Sequence, residues 1–293
     1  MGLLDGKVAI ITGAGAGVGR AHALTLAKEG ASIVVNDLGS AVDGTGSASQ
    51  VADAVVEEIK GAGGKAVANY GNVTSAKDAQ SMVDTAVSEF GKVDILINNA
   101  GILRDKSFKN MTEDLWDPVI AVHLKGCYHT TKAVYTKMLE QGTGGRIIMT
   151  SSTSGLVGNF GQTNYGAAKA GIAGFMRCLA IEGKKAGITV NVLAPNAYSR
   201  MTASLFPKGS EERFPPERIS PAIAWLCSDE AADITGRQFV ISGNRISLLY
   251  PAAYLIAEKD ASEGAWTPSE IGERIRKSMA DWPEAATVPK LIF

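Results

Sequence analysis

The chain reads as an α/β protein: one doubly wound parallel sheet in a single domain, residues 1–245, followed by a C-terminal extension, residues 246–293. Three observations predict this. Short β-branched runs alternate with helical patterns, a glycine-rich turn follows the first run, and the second run ends on an acidic residue. Strands are expected at residues 8–12, 32–36, 65–69, 93–98, 146–150 and 189–193, and the first two helices at 18–29 and 48–60. Crossovers of this kind are right-handed and place ligands beyond the carboxyl ends of the strands. Residues 38–49, with glycines at 39, 44 and 46, are too polar for core and read as a surface loop. After about Ser242 the alternation stops. The extension carries an amphipathic stretch, residues 269–280, bounded by Pro268 and Pro283, which reads as a covering or oligomer-contact arm or as a disordered tail.

Composition excludes several classes. A formal net charge of -1 and a pI near 6.3 argue against nucleic acid or an anionic membrane as the main partner. The three cysteines, Cys127, Cys178 and Cys227, have no C-x-x-C spacing. They read as reduced, buried thiols with no metal to hold. The first seven residues show no basic stretch ahead of an apolar run, and position 6 is Gly, against a myristoylation signal. Leu291-Ile292-Phe293 is no peroxisomal address, and no apolar run approaches the roughly 20 residues of a membrane span. A cytoplasmic protein is expected.

The turn Thr12-Gly13-Ala14-Gly15-Ala16-Gly17-Val18-Gly19 leads from the first strand into a helix. Unpaired N–H groups and partial positive charge at such a helix start suit a pyrophosphate. The spacing is G-x3-G-x-G through Gly13, Gly17 and Gly19, not G-x-G-x-x-G, and a plain tight turn remains the alternative. Asp37, 18 residues after Gly19, can accept from adenosine ribose hydroxyls and repel a 2′-phosphate. NAD is therefore expected over NADP. Asn72-Val73 and Asn98-Asn99-Ala100-Gly101 close the third and fourth strands where adenine and ribose would lie, with Asn98 and Asn99 open to a purely structural role.

Ser151-Ser152 and then Asn164-Tyr165-Gly166-Ala167-Ala168-Lys169 follow the fifth strand. Tyr165 and Lys169, at i and i+4, share a helix face. An ammonium and a positive nicotinamide near the phenol favour its ionised form. Such a Tyr can exchange a proton at a substrate oxygen while hydride moves at carbon. Ser152, 13 residues before Tyr165, would bond the same oxygen.

With the T-G-x3-G-x-G turn, Asn99-Ala100-Gly101, Ser152, Tyr165, Lys169 and the stretch 191–195, the chain resembles the short-chain dehydrogenase/reductase family over about residues 5 to 245. The resemblance implies a Rossmann-type fold, Tyr165 as acid/base, and Lys169 lowering its pKa and holding the nicotinamide ribose. It also implies that Pro195 and Asn196, with Ala197 and Tyr198, border the nicotinamide, that residues 199–215 form a lid, and that the protein is a homodimer or homotetramer. Where the family often has an Asn in a proton relay, this sequence has His123, which titrates near neutrality when unperturbed and serves either the relay or the fold. His22 and His129 read as surface or packing residues.

Asn36-Asp37-Leu38-Gly39, Gly101-Ile102-Leu103-Arg104-Asp105, Gly158-Asn159-Phe160-Gly161 and Ala194-Pro195-Asn196-Ala197 are similar to the dehydrogenase domain of the peroxisomal multifunctional enzyme of β-oxidation. That domain implies oxidation of (3R)-3-hydroxyacyl-CoA, with action on 17-hydroxysteroids as well. Arg104, Lys106, Lys109, Arg200 and Lys208 are either thioester phosphate ligands or solvated loop charges. Three readings stay open at this level: a hydroxyacyl-CoA dehydrogenase, a dehydrogenase of a hydroxysteroid or other small cyclic alcohol, and a non-catalytic NAD-binding scaffold.

Overall fold

A computed structural model describes residues 2–203, 206–207, 209–260, 262 and 264–282. Lys208 and residues 283–293, Pro283 included, lie outside them. The described strands form one sheet in the order β3-β2-β1-β4-β5-β6-β7-β8. They are β1 (Val8–Thr12), β2 (Ser32–Asn36), β3 (Lys65–Asn69), β4 (Ile95–Asn98), β5 (Gly145–Thr150), β6 (Ile188–Asn196), β7 (Gln238–Ser242) and β8 (Arg245–Leu249). Every pairing is parallel except β7 with β8. Strand order reverses between β1 and β4, so a crevice opens beyond Thr12 and Asn98, the switch point at which such sheets bind ligands.

The strand sequences explain their place. Val-Ala-Ile-Ile-Thr of β1 is buried at every residue, as expected of a strand covered on both faces. Ile11, Ile33 and Val35 pack on one face with Val55, Ile59, Ile223 and Leu226. Ile10, Val34 and Leu96 pack on the other with Met82, Met138, Ile172 and Met176. Each fully buried Ile or Leu contributes about 1.5–3 kcal/mol of transfer free energy, so sheet and helices are held from both sides. The helices are α1 (Gly17–Lys28), α2 (Gln50–Gly61), α3 (Ala76–Phe90), α4 (Glu113–Ile120), α5 (Gly126–Gln141), α6 (Thr153–Leu156), α7 (Thr163–Gly183) and α8 (Ser220–Leu226); α4 and α6 pack on α7, and the others supply those layers.

Three features depart from the sequence expectations. The third strand ends at Asn69, so Asn72 and Val73 sit in the loop beyond it. Cys127 and Cys227 are buried, but Cys178 is exposed on the outer face of α7. The sheet also continues past Ser242. Gly243, at φ 55°, and Asn244 make a two-residue turn that brings β8 back along β7, with Ser242 opposite Arg245. Beyond it, α9 (Pro268–Ser278) starts with a capping box between Thr267 and Glu270, and none of its residues is buried. Among the described residues no helix is long and apolar enough to cross a membrane.

Candidate active site

β1 delivers the glycine-rich turn into the crevice, and α1 begins at Gly17 with Ala16 extended ahead of it. Close packing demands glycine here: a Cβ on Gly13 would lie 2.8 Å from Ala100 Cα, and one on Gly19 2.1 Å from the Gly13 oxygen. Val18 turns back onto the core, leaving the backbone of the turn outermost. Asn99 braces this cradle, donating from Nδ2 to the carbonyls of Thr12 (3.1 Å) and Gly13 (3.0 Å). The amides of Asn99 and Ala100 both donate to Thr12 Oγ1, at 3.0 and 3.1 Å. Asn98 is equally committed to the fold, donating to Thr131 Oγ1 at 2.8 Å. Asp37 stands at the carboxyl end of β2, its two oxygens accepting the amides of Gly15 (2.8 Å) and Gly39 (2.7 Å). A carboxylate has about four lone-pair sites, so acceptor capacity remains for a ribose diol. The nearest basic side chain on α1, Arg20, is paired with Glu58 at 2.6 Å. Asn72 folds onto its own loop, accepting from Thr74, while Val73 is buried against Gly126.

The chemical end lies beyond β5. Ser152 caps α6, its Oγ accepting the Ser154 amide at 3.1 Å, and it shares a hydrogen bond with the Tyr165 phenol. Tyr165 and Lys169 lie on one face of α7, with Nζ 5.4 Å from the ring centroid. Lys169 is 2% exposed and donates to the Thr150 carbonyl at 2.6 Å. Burial lowers its pKa to about 8. The sequence led us to expect a lowered pKa for Tyr165. The protein by itself does the reverse: desolvation, opposed by the Ser152 bond and reinforced by the Asp105 charge, pushes the phenol up to about 12. A positive nicotinamide beside the phenol would oppose that rise.

His123 sits where five residues, Ala121–Lys125, make a π-helical turn between α4 and α5. Its ring meets the Tyr165 ring edge-to-face at 5.1 Å. Nε2 lies 2.8 Å from the Ile102 oxygen and 3.0 Å from its amide nitrogen. The ring also occupies the space over Gly101, where a Cβ would come within 2.3 Å of Cε1. Burial and the Lys169 charge hold its pKa well below the ordinary value, so the imidazole is neutral and the expected titration near neutrality is lost. Its buried Nδ1 has no partner among the described residues, nor has Thr150 Oγ1. Both residues line, with Lys169, a cavity of about 10 Å³, the room one water-sized sphere needs.

Several contributors were not singled out in the sequence. Asn164 donates to the carbonyls of Arg104 and Leu115, each at 2.9 Å, and accepts the Tyr165 amide, so it seats the start of α7. Gln162 accepts from Ser154 Oγ at 2.6 Å and donates to Asp105 at 2.7 Å. Their proximity to Tyr165 in sequence was the available signal. Arg104 is turned away from ligand duty: Nε donates to Asp43 O at 2.9 Å and Nη1 to Asp114 O at 2.8 Å. The loop 38–49 is tied down by this contact and by the Leu103 amide bonding Val42 O at 2.9 Å. Pro195 and Asn196 end β6, and the buried Asn196 Nδ2 has no partner among the described residues. Past them, Ser199 lies over Gly17, Arg200 is exposed, and Phe214 is buried, the Tyr198 amide bonding its carbonyl at 2.7 Å.

These features fit a dinucleotide. One end offers a bare backbone cradle and a carboxylate; the other offers two buried polar atoms, on Asn196 and Thr150, with no partner among the described residues.

Residues 7–208 match the family model of the short chain dehydrogenases. A putative short-chain type dehydrogenase/reductase of Mycobacterium tuberculosis is 50% identical over 82% of this chain and 83% of its own length. The peroxisomal multifunctional enzyme type 2 of Mus musculus is 47% identical over 84% of this chain, which spans only 33% of that longer enzyme. A hydroxyacyl-CoA dehydrogenase of Mycobacterium tuberculosis is 39% identical over 94% of this chain and 90% of its own. Among solved structures, a short chain dehydrogenase from Mycobacterium avium superposes with a TM-score of 0.86, at 41% identity over 98% of this chain and 99% of that one. A 7α-hydroxysteroid dehydrogenase complexed with NADH and a 7-oxo bile acid gives 0.74, at 33% identity over 82% and 94%.

Proposed function

The chain belongs to the short-chain dehydrogenase family, and from that premise we propose that it oxidises (3R)-3-hydroxyacyl-CoA to 3-oxoacyl-CoA with NAD. The observation that carries this is the convergence of Ser152, Tyr165 and Lys169 at the carboxyl end of β5, beside the glycine cradle. The backbone of Gly13, Ala16, Gly17, Val18 and Gly19 faces the pyrophosphate. Asp37 takes the adenosine ribose, Asn72 and Val73 border the adenine, and Ala100 and Gly101 floor the crevice. Asn99 holds the cradle, and Pro195 and Asn196 flank the nicotinamide. NAD follows from Asp37, whose charge repels a 2′-phosphate, and from Arg20 of α1 being paired with Glu58.

Bound NAD supplies the hydride acceptor and a positive ring. Tyr165 Oη takes the alcohol proton as its carbon is oxidised, and Ser152 holds the same oxygen. Lys169, fixed on Thr150, orients the nicotinamide ribose and keeps positive charge behind the phenol. His123 packs edge-on against Tyr165 and sets its angle. His123→Ala should cut kcat well beyond its effect on the melting temperature, and an unchanged kcat removes it from the mechanism.

The thioester rests on the relative of similar length that is a hydroxyacyl-CoA dehydrogenase. A hydroxysteroid is the second reading, favoured by the likeness to the bile-acid enzyme. NADH formation with 3-hydroxyacyl-CoA of several chain lengths, beside 17β- and 7α-hydroxysteroids, separates the two. Tyr165→Phe should abolish turnover with either; unchanged turnover would take the proton transfer away from Tyr165, and a parent protein that oxidises neither substrate would leave the scaffold reading. The assembly is a homodimer or homotetramer in which α5 and α7 pair across an interface. Tyr128 is 51% and Ile181 78% exposed on those helices, beside an apolar hollow lined by Ile120, Leu124 and Phe175. Light scattering giving a monomer mass removes that part.

A further inference from the structure

Two loops meet at the edge of the active site. The Lys106 amide donates to the Gly161 carbonyl at 2.8 Å, and Lys106 and Gln162 form a parallel bridge. Gln162 leads inward, through Ser154 and Asp105, to the turn of α7 that carries Tyr165. The outward side of the same bridge is unusual. Phe108, two residues after the bridged lysine, is 72% exposed, and Phe160, two residues before the bridged glutamine, is 89% exposed. Lys106 and Lys109 flank Phe108, both exposed, and neither ammonium has an ion pair or hydrogen bond among the described residues. Arg104 is not available, because its guanidinium is held by two backbone carbonyls. Asp105, the residue before the bridged lysine, accepts from Gln162 Nε2 at 2.7 Å.

Exposed aromatic rings close in the chain to two ammonium groups that have no partner among the described residues suit a ligand that is planar at one point and multiply anionic beside it. A purine nucleotide has that chemistry: its base stacks and its phosphates meet lysines. Gln162 and Asp105 also join the bridge to the side of the site that holds Ser152 and Tyr165.

We propose that the rim built by Lys106, Phe108, Lys109 and Phe160 binds the nucleotide tail of the coenzyme A thioester, with the purine on Phe108, the phosphates on Lys106 and Lys109, and the pantetheine arm crossing Phe160. This rests on the hydroxyacyl-CoA reading and supplies the subsite that reading lacks. Binding far from the reacting carbon raises kcat/KM without touching the chemical groups.

The test compares one (3R)-3-hydroxyacyl group carried on coenzyme A and on N-acetylcysteamine, which has no nucleotide. The protein should prefer the coenzyme A thioester by about tenfold or more. Phe108→Ala and the double variant Lys106→Gln/Lys109→Gln should each erase most of that preference, leaving kcat/KM for the short thioester within about twofold of its starting value. A retained preference in well-folded variants overturns the proposal, as does a parent enzyme with no preference. So does a change of oligomeric mass alone, which would make the rim a contact between copies. A second arm needs no turnover: adenosine 3′,5′-bisphosphate is titrated into protein saturated with NAD. Binding that both variants lose supports the rim, and no binding overturns it. If neither thioester is oxidised, the functional reading fails, and this titration still decides the rim.

Discussion

Asp37 and Gly101 show how single residues set the site. Asp37 already accepts two backbone amides, so its charge is fixed in direction before any ligand arrives. Asp37→Asn keeps the acceptor oxygen but removes the repulsion toward a 2′-phosphate. The ratio of kcat/KM for NADP over NAD should then rise by about tenfold. A ratio that does not move would take cofactor choice away from this side chain. Gly101 lies under the His123 ring, where an added methyl meets Cε1 at 2.3 Å. Gly101→Ala must displace that ring at a stability cost of about 1–3 kcal/mol. Because the His123 ring packs edge-on against Tyr165, kcat should fall further than the melting temperature explains; equal losses would mean that the ring only fills space.

Between elements, the contact of α1 with α8 depends on one buried polar pair. His22 is fully buried on α1, and its Nδ1 lies 2.9 Å from Ser220 Oγ at the start of α8. Ser220→Ala removes that partner and leaves both imidazole nitrogens unsatisfied, since Nε2 already has none among the described residues. A loss of about 1–3 kcal/mol in denaturant unfolding is expected, with little change in kcat. The β7–β8 hairpin is another matter of elements. Gly243-Asn244 between two apolar runs is a recognisable turn signal, yet the end of the βα alternation at Ser242 hid the strand. β8 is an edge strand, and its Ile246 and Leu248 are exposed, so they do not mark it as core.

For the molecule as a whole, the buried imidazoles make folding sensitive to acid. Desolvation lowers the His22 pKa from 6.5 to about 3, and His123 is displaced in the same direction. Between those values the unfolded chain binds the His22 proton and the folded chain does not. Stability is therefore full above pH 6.5 and falls as pH drops through the window toward 3. At 1.36 kcal/mol per pH unit, His22 alone removes on the order of 4–5 kcal/mol by the bottom of it. Urea melts at pH 7, 6, 5 and 4 should show the decline, and His22→Leu should flatten part of it. Parallel curves for the two proteins would assign the acid sensitivity elsewhere.

The fold class, the places of the first six strands along the chain and the pairing of Tyr165 with Lys169 were legible in the sequence, because they follow from local periodicity. Buried runs of β-branched residues, a glycine turn into a helix and an i,i+4 spacing are readable without knowing what lies across the sheet. Other properties required the tertiary structure. Asn98 and Asn99 hold the fold together, Arg104 is occupied by Asp43 and Asp114, His123 is neutral, and the Tyr165 phenol is pushed up by its surroundings. Each depends on partners distant in the chain or on how much water reaches a group. Desolvation and long-range hydrogen bonding exist only once the elements have packed.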